Sequence, residues 1–246
     1  MLVRADTHVH YYQHFDFHLF LASANRNFSK NIESCYRIIF LTETENEHFF
    51  NDLRSGKYSE FGSVISTKEE VSIIFESFEF GIFIFIAGFQ YASQEKLEVL
   101  SLGAINRLEL DNRIPFSNLV ARLSERGEFL ILPWGVGKWL FSRGRLIKDV
   151  FNQGNVMLAD SAMRFIGFPK PRVLSSNYIF GTDPNPVRGE EYIVGRCGIE
   201  INLQNEDDLS AILISPFAIL KNKIQNNQFT VYGKRRSILE FLRTLN

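Results

Sequence analysis

Four of the 5 histidines in this chain fall between His8 and His18, and the first two, His8 and His10, follow a short apolar run that begins at Leu2. A strand alternates its side chains with a period of two, so a His-x-His at a strand's C-terminal end aims both imidazoles at one face. Two rings fixed on one rigid strand have metal-ligand geometry, and imidazole is the commonest protein ligand for zinc, manganese and iron. The plainer alternative is that one ring is a hydrogen-bonded loop histidine. Acidic Asp16 follows closely. His14 and His18 stand four apart on an expected helix, but Phe15 and Phe17 favour a partly buried helix face over a second site. His48, after Glu45 and Glu47, is expected to be exposed.

The rest of the chain must position these groups. At 246 residues, with 45% hydrophobic residues and 24 Phe, it fits one α/β domain over residues 1–246 with ample core. The formal net charge of −1 gives no general reason to expect nucleic acid or an anionic membrane as partner. A small anionic molecule is the expected ligand. Only Cys35 and Cys197 occur and no secretory leader is recognisable, which points to a reduced, cytoplasmic setting. Gly81–Gly88, GIFIFIAG, is too short to span a bilayer and reads as a buried strand.

Short apolar runs recur at Leu2–Ala5, Arg37–Leu41, Val71–Phe75, Ile82–Ile86, Leu97–Leu102, Phe129–Leu132, Val156–Ala159 and Tyr178–Phe180. Helical spacing appears over Phe15–Ala24 and Phe116–Ser124. This rhythm argues for an α/β architecture; the six residues Glu76–Gly81 are too few for a crossover and suit a hairpin or irregular excursion, so any barrel built on it is imperfect. Residues 186–246, with helices expected over Leu209–Leu220 and Lys234–Leu245, read as a helical cover on a core of about residues 1–185.

In a parallel barrel, functional groups collect where strands end. Those positions carry His8 and His10, then Glu43, Gln90, Lys138, Asp160 and Asp183, with Glu98 inside a run. Asp160-Ser161 suits a contact to a ligand group or substrate. A second feature is Pro133-Trp134-Gly135-Val136-Gly137-Lys138-Trp139, followed by Arg143 and Arg145. Gly135 and Gly137 permit an anion-binding nest of backbone N–H groups, with Lys138 and Arg143 supplying charge. A tight turn with Trp134 in the core is the equal alternative.

These motifs, in this order, resemble the PHP (polymerase and histidinol phosphatase) family over roughly the first 185 residues. Asp6-Thr7-His8-Val9-His10 is similar to its opening ligand pair, and Gly181-Thr182-Asp183-Pro184-Asn185 to its closing Gly-Ser-Asp-x-His. Glu43 and Thr44 stand where the family has Asp-His, Gln90 where it has a bridging glutamate, Glu98 and Leu132 where it has histidines, and Asn185 at the last histidine. The resemblance implies a distorted TIM-like (β/α)7 barrel and a hydrolase acting first on phosphoesters. It implies an ion at His8, His10 and Asp183, with Glu43, Glu98 and Lys138 as catalytic candidates, Lys138 by analogy with the carbamylated lysine of amidohydrolases. Gln90 is neutral and cannot bridge two cations, so one divalent ion (Zn, Mn or Fe) is expected rather than three. The competing expectation is a catalytically silent barrel that binds a small anion or a protein partner.

Overall fold

A computed structural model describes residues 1–110, 112–135, 139–154, 156–171, 174, 178–204 and 210–243. The first apolar run becomes β1 (Leu2–Val9), which lies parallel to β2 (Cys35–Leu41). Between them, Asp16 accepts a hydrogen bond from the Leu19 amide and caps α1 (Phe17–Phe28), so its acidic group closes a helix end and takes no part in the His8–His10 cluster. Phe17, Phe20, Leu21, Ala24 and Phe28 give α1 one buried face. The short α2 (Phe49–Arg54) follows β2.

Then β3 (Gly62–Ser66), β4 (Ser72–Ser77) and β5 (Gly81–Ile86) form an antiparallel meander, and β5 returns parallel to β2. Only Ala87 separates β5 from β6 (Gly88–Ala92), and there the chain changes sheets. β6, β7 (Glu98–Leu102) and β8 (Phe129–Pro133) are antiparallel neighbours. β9 (Val156–Ser161) and β10 (Ile179–Gly181) continue that sheet in parallel. α3 (Phe116–Glu125) and α4 (Phe141–Phe151) pack on its outer face through Leu119, Leu123 and Ile147. The later strands β11 (Cys197–Asn202) and β12 (Thr230–Gly233), with α5 (Pro216–Gln225) and α6 (Ile238–Arg243), complete the described chain.

The result is a seven-stranded sheet of order β12-β11-β1-β2-β5-β4-β3 facing a five-stranded sheet of order β10-β9-β8-β7-β6. Val3, Ala5, Ile38, Phe40, Ile84 and Ile86 from the first meet Leu100, Leu102, Ile131 and Ile179 from the second in a shared core, and Leu220 and Ile224 of α5 join it. Burial of this apolar surface is the main force holding the sheets face to face.

The expected (β/α)7 barrel is therefore corrected. A barrel needs one uninterrupted ring of ladders, and here antiparallel β11 takes the free edge of β1 while antiparallel β6–β8 interrupt the βα alternation. The sheets touch at two seams. At one, the Thr7 hydroxyl donates to the Phe180 carbonyl and the Asp183 amide to the His8 carbonyl; at the other, a lone bridge joins Glu43 to Phe89. Residues 186–246 likewise do more than cover the core with helices, since β11 and β12 extend the larger sheet. The closing helix begins at Ile238, four residues later than expected; of the helix expected over Leu209–Leu220, Leu209 lies outside the described residues, Ser210 and Ala211 are helical, and after a turn a separate helix starts at Pro216.

Candidate metal centre

β1 ends on the inner side of one seam, and its period of two sends His8 and His10 the same way. β10 ends beside it, and Asp183 turns back in the left-handed region (φ 51°) with its amide on the His8 carbonyl. Aspartate tolerates this conformation better than most residues. The turn brings Asp183 Oδ1 to 3.4 Å from His8 Nε2 and 3.9 Å from His10 Nε2, while the two Nε2 atoms stand 3.2 Å apart. Among the described residues these three alone form a group whose ligand atoms all lie within 4.8 Å of one another.

Donor atoms about 2.1 Å from a tetrahedral ion are about 3.4 Å apart, so the observed separations fit a single zinc-like or manganese-like cation. The electrostatics point the same way. Burial opposes a charge on His10, but the hydrogen bond and charge of Glu47, with the charges of Asp183 and Glu98, outweigh it and raise the imidazole pKa. A field that favours a proton there favours a divalent cation as well.

The surrounding groups hold the ligands in place. His10 Nδ1 lies 3.3 Å from Glu47 Oε2, which also accepts the Thr44 amide at 2.6 Å, so the ring's Nε2 is the nitrogen facing His8 and Asp183. Gln90 Oε1 lies 3.0 Å from His8 Nε2, adding a neutral oxygen beside the trio. The Ser161 hydroxyl donates to Asp183 Oδ2 at 3.2 Å. Behind them, fully buried Asp6 accepts from the Thr182 amide and hydroxyl and the Gly195 amide, tying both strands of the seam together. Its burial pushes the carboxyl up to about 7 against the lowering effect of those donors.

The other expected site residues are placed as follows. Glu43 turns its carboxylate to the Phe50 amide at the start of α2, away from the trio, and burial raises its pKa to about 7. Glu98 opens β7 on the face shared by Leu100 and Leu102, and acts on His10 through its charge, not as a member of the trio. Gly135 lines an apolar cleft walled by Trp134, Trp139 and Phe168; Arg143 lies in the first turn of α4. Gly137 and Lys138 lie outside the described residues. Leu132 packs on the outer, helix-covered face, so position 132 does not reach the mouth. His14 stacks on Tyr12, and His18 pairs with exposed Glu79.

Two neighbours were not foreseen. Glu47 is reached across 37 positions of sequence, its only signal being the acidic Glu43–Glu47 loop. Arg107 donates to the carbonyls of Glu43 and Gln90 at 3.1 and 2.8 Å and lies over the Tyr91 ring, placing a cation on a cleft of about 540 Å³ that Gln90 also lines.

Known structures share this architecture. Over 92% of this chain and 57% of the other, it superposes on endonuclease Q complexed with a 27-mer duplex substrate carrying an abasic lesion, with TM-score 0.53 and 13% identity. Lesion-specific endonuclease Q from Pyrococcus furiosus gives TM-score 0.51 and 13% identity over 94% and 58% of the two chains. PsfC from Pseudomonas syringae PB-5123 gives TM-score 0.54 and 13% identity over 99% and 96%. At such identities the fold is what is shared, and the chain spans little more than half of each endonuclease Q chain. No protein-family model and no curated protein matches the sequence.

One expectation falls with this comparison. A near-neutral net charge does not exclude nucleic acid, because a protein of this fold holds a duplex. Net charge averages over local surfaces, and local surfaces meet the phosphates. No helix among the described residues is long and apolar enough to cross a membrane.

Proposed function

We propose that this chain is a metal-dependent hydrolase of phosphoester bonds, with nucleic-acid phosphodiesters as the first substrate class to test. The observation that carries the reading is the convergence of His8 Nε2, His10 Nε2 and Asp183 Oδ1 from two sheets onto one point. The likeness of the fold to endonuclease Q supports the choice of substrate. His8, His10 and Asp183 would hold the ion, which when bound supplies a Lewis acid and a water of lowered pKa.

The chain's own groups do the rest. Glu47 holds the His10 tautomer, Ser161 orients Asp183, and Arg107 offers a fixed positive charge on the neighbouring cleft to a substrate phosphate. The residues after Pro133 expected to bind an anion are not needed for this reading.

The test is hydrolysis of bis(p-nitrophenyl) phosphate and of a duplex with an abasic site, each with manganese, zinc and iron, alongside metal content after purification. Activity should depend on metal and fall at least about a hundredfold in His10→Ala with the fold intact. Equal activity of the two proteins, or no metal retained by either, would reject the reading.

A further inference from the structure

About four residues back along β1 from His8, or about 13 Å, a second concave site lies beside Arg4. It is a cleft of about 540 Å³ between the end of α1, the segment that leads into β11, and the exit of β12. Its walls include Arg26, Lys30, Asn31, Tyr192, Tyr232 and Lys234.

The charge on these walls is not balanced. Two further cations there are already paired: Arg4 with Glu200 at 2.6 Å and Arg196 with Glu240 at 2.6 Å. Glu240 is the sole acidic residue among the lining residues. Arg26, Lys30 and Lys234 are exposed and make no ion pair among the described residues, leaving three positive charges from two segments, the end of α1 and the exit of β12, facing one cavity in a chain whose net charge is −1.

A cation at the C-terminus of a helix ordinarily complements the helix dipole. That role is taken here, because Arg4 Nη1 donates to the carbonyls of Phe28 and Lys30 and the Ser29 amide caps those of Asn25 and Asn27. The cleft is also rigid where a ligand would rest. The Arg4 guanidinium lies 4.5 Å from the Tyr232 ring centre, the Tyr232 hydroxyl donates to the Gly195 carbonyl, and the Asn27 amide group donates to the carbonyls of Tyr192 and Val194.

We infer that this cleft binds phosphate groups through Arg26, Lys30 and Lys234, at a site separate from the metal centre. The volume suits a nucleotide-sized ligand or a short stretch of nucleic-acid backbone, and both present the same chemistry.

The test uses the full chain in excess EDTA, so that the metal centre takes no part. Inorganic pyrophosphate is titrated by calorimetry and a short labelled DNA duplex by fluorescence anisotropy. Wild-type protein and His10→Ala should bind alike, and combined Arg26→Gln, Lys30→Gln and Lys234→Gln should weaken binding at least about tenfold. For the duplex, the slope of log affinity against log salt should fall by about 2 to 3. Pyrophosphate binding that competes with the duplex identifies a small phosphorylated ligand, and binding of the duplex alone identifies a backbone track. Equal binding by wild type and the triple variant, no binding of either probe to wild type, or loss of binding in His10→Ala overturns the inference. Absence of metal-dependent hydrolysis would sink the proposed function and leave this result standing.

Discussion

His10 serves as a ligand only if its Nε2 carries no proton, and Glu47 favours this by accepting a hydrogen bond from Nδ1–H. Glu47→Ala should therefore weaken manganese or zinc binding about 10–100-fold in chelator competition, and Glu47→Gln, which keeps an acceptor oxygen, should lose less. Equal losses would mean that charge, not orientation, is what Glu47 supplies. Glu43 gives a second test. Its pKa is raised in the folded protein to about 7, so between the unfolded value near 4.5 and about 7 the folded state binds the extra proton and stability falls as pH rises. Glu43→Gln removes that loss. The variant's free energy of unfolding should gain on wild type as pH goes from about 4.5 to 7, by up to about 3 kcal/mol, and level off above; a pH-independent difference would place the Glu43 proton elsewhere. His8 and His10 stood out in the sequence by type and spacing, and Asp183 by the resemblance of Gly181–Asn185 to a known motif; the structure brings their ligand atoms together. Glu47 and Arg107 did not stand out, because nothing local marks a residue whose role is to hold a distant one.

At the scale of elements, the two seams depend on missing side chains. A Cβ on Gly181 would stand 2.7 Å from the His8 amide nitrogen, and one on Gly88 would stand 2.7 Å from the Leu41 carbonyl oxygen. Gly181→Ala should push β10 from β1, carry Asp183 off the trio, and cost about 1–3 kcal/mol in urea unfolding together with measurable loss of metal affinity. Unchanged metal binding would show that Asp183 is placed independently of the seam. The eight apolar runs all overlap strands, since continuous burial writes itself into composition. β3, β11 and β12 escaped notice for the converse reason. They lie at or near one edge of the larger sheet or the other, and β3 and β12 leave most residues partly or fully exposed. β6 escaped because Ala87 alone separates it from β5, leaving no turn signal between them.

At the scale of the molecule, the expected barrel does not form, and the chain folds as two mixed sheets. Alternating apolar and helical segments describe an open pair of sheets as well as a barrel, and only long-range pairing, such as β1 with β11 across about 195 positions, distinguishes them. That pairing comes from the C-terminal part, which also straps the fold. Arg235 pairs with buried Asp160 at 2.5 Å, and Arg236 pairs with Glu190 through both carboxylate oxygens at 2.7 and 2.6 Å. The Arg236 amide donates to the Ala162 carbonyl, so the strap grips the loops that follow β9 and β10, next to Ser161 and Asp183. The two arginines differ in what their loss exposes. Asp160 keeps Arg164, which donates to both its oxygens at 2.8 and 2.5 Å, whereas among the described residues Glu190 would keep only the Asn185 amide. Breaking a buried pair by removing one partner costs about 3–5 kcal/mol when the remaining charge is left uncompensated. Arg236→Ala should therefore lower stability to urea by that amount and Arg235→Ala by clearly less. If the two variants unfold at the same urea concentration, the strap is held by its backbone contacts and not by these pairs.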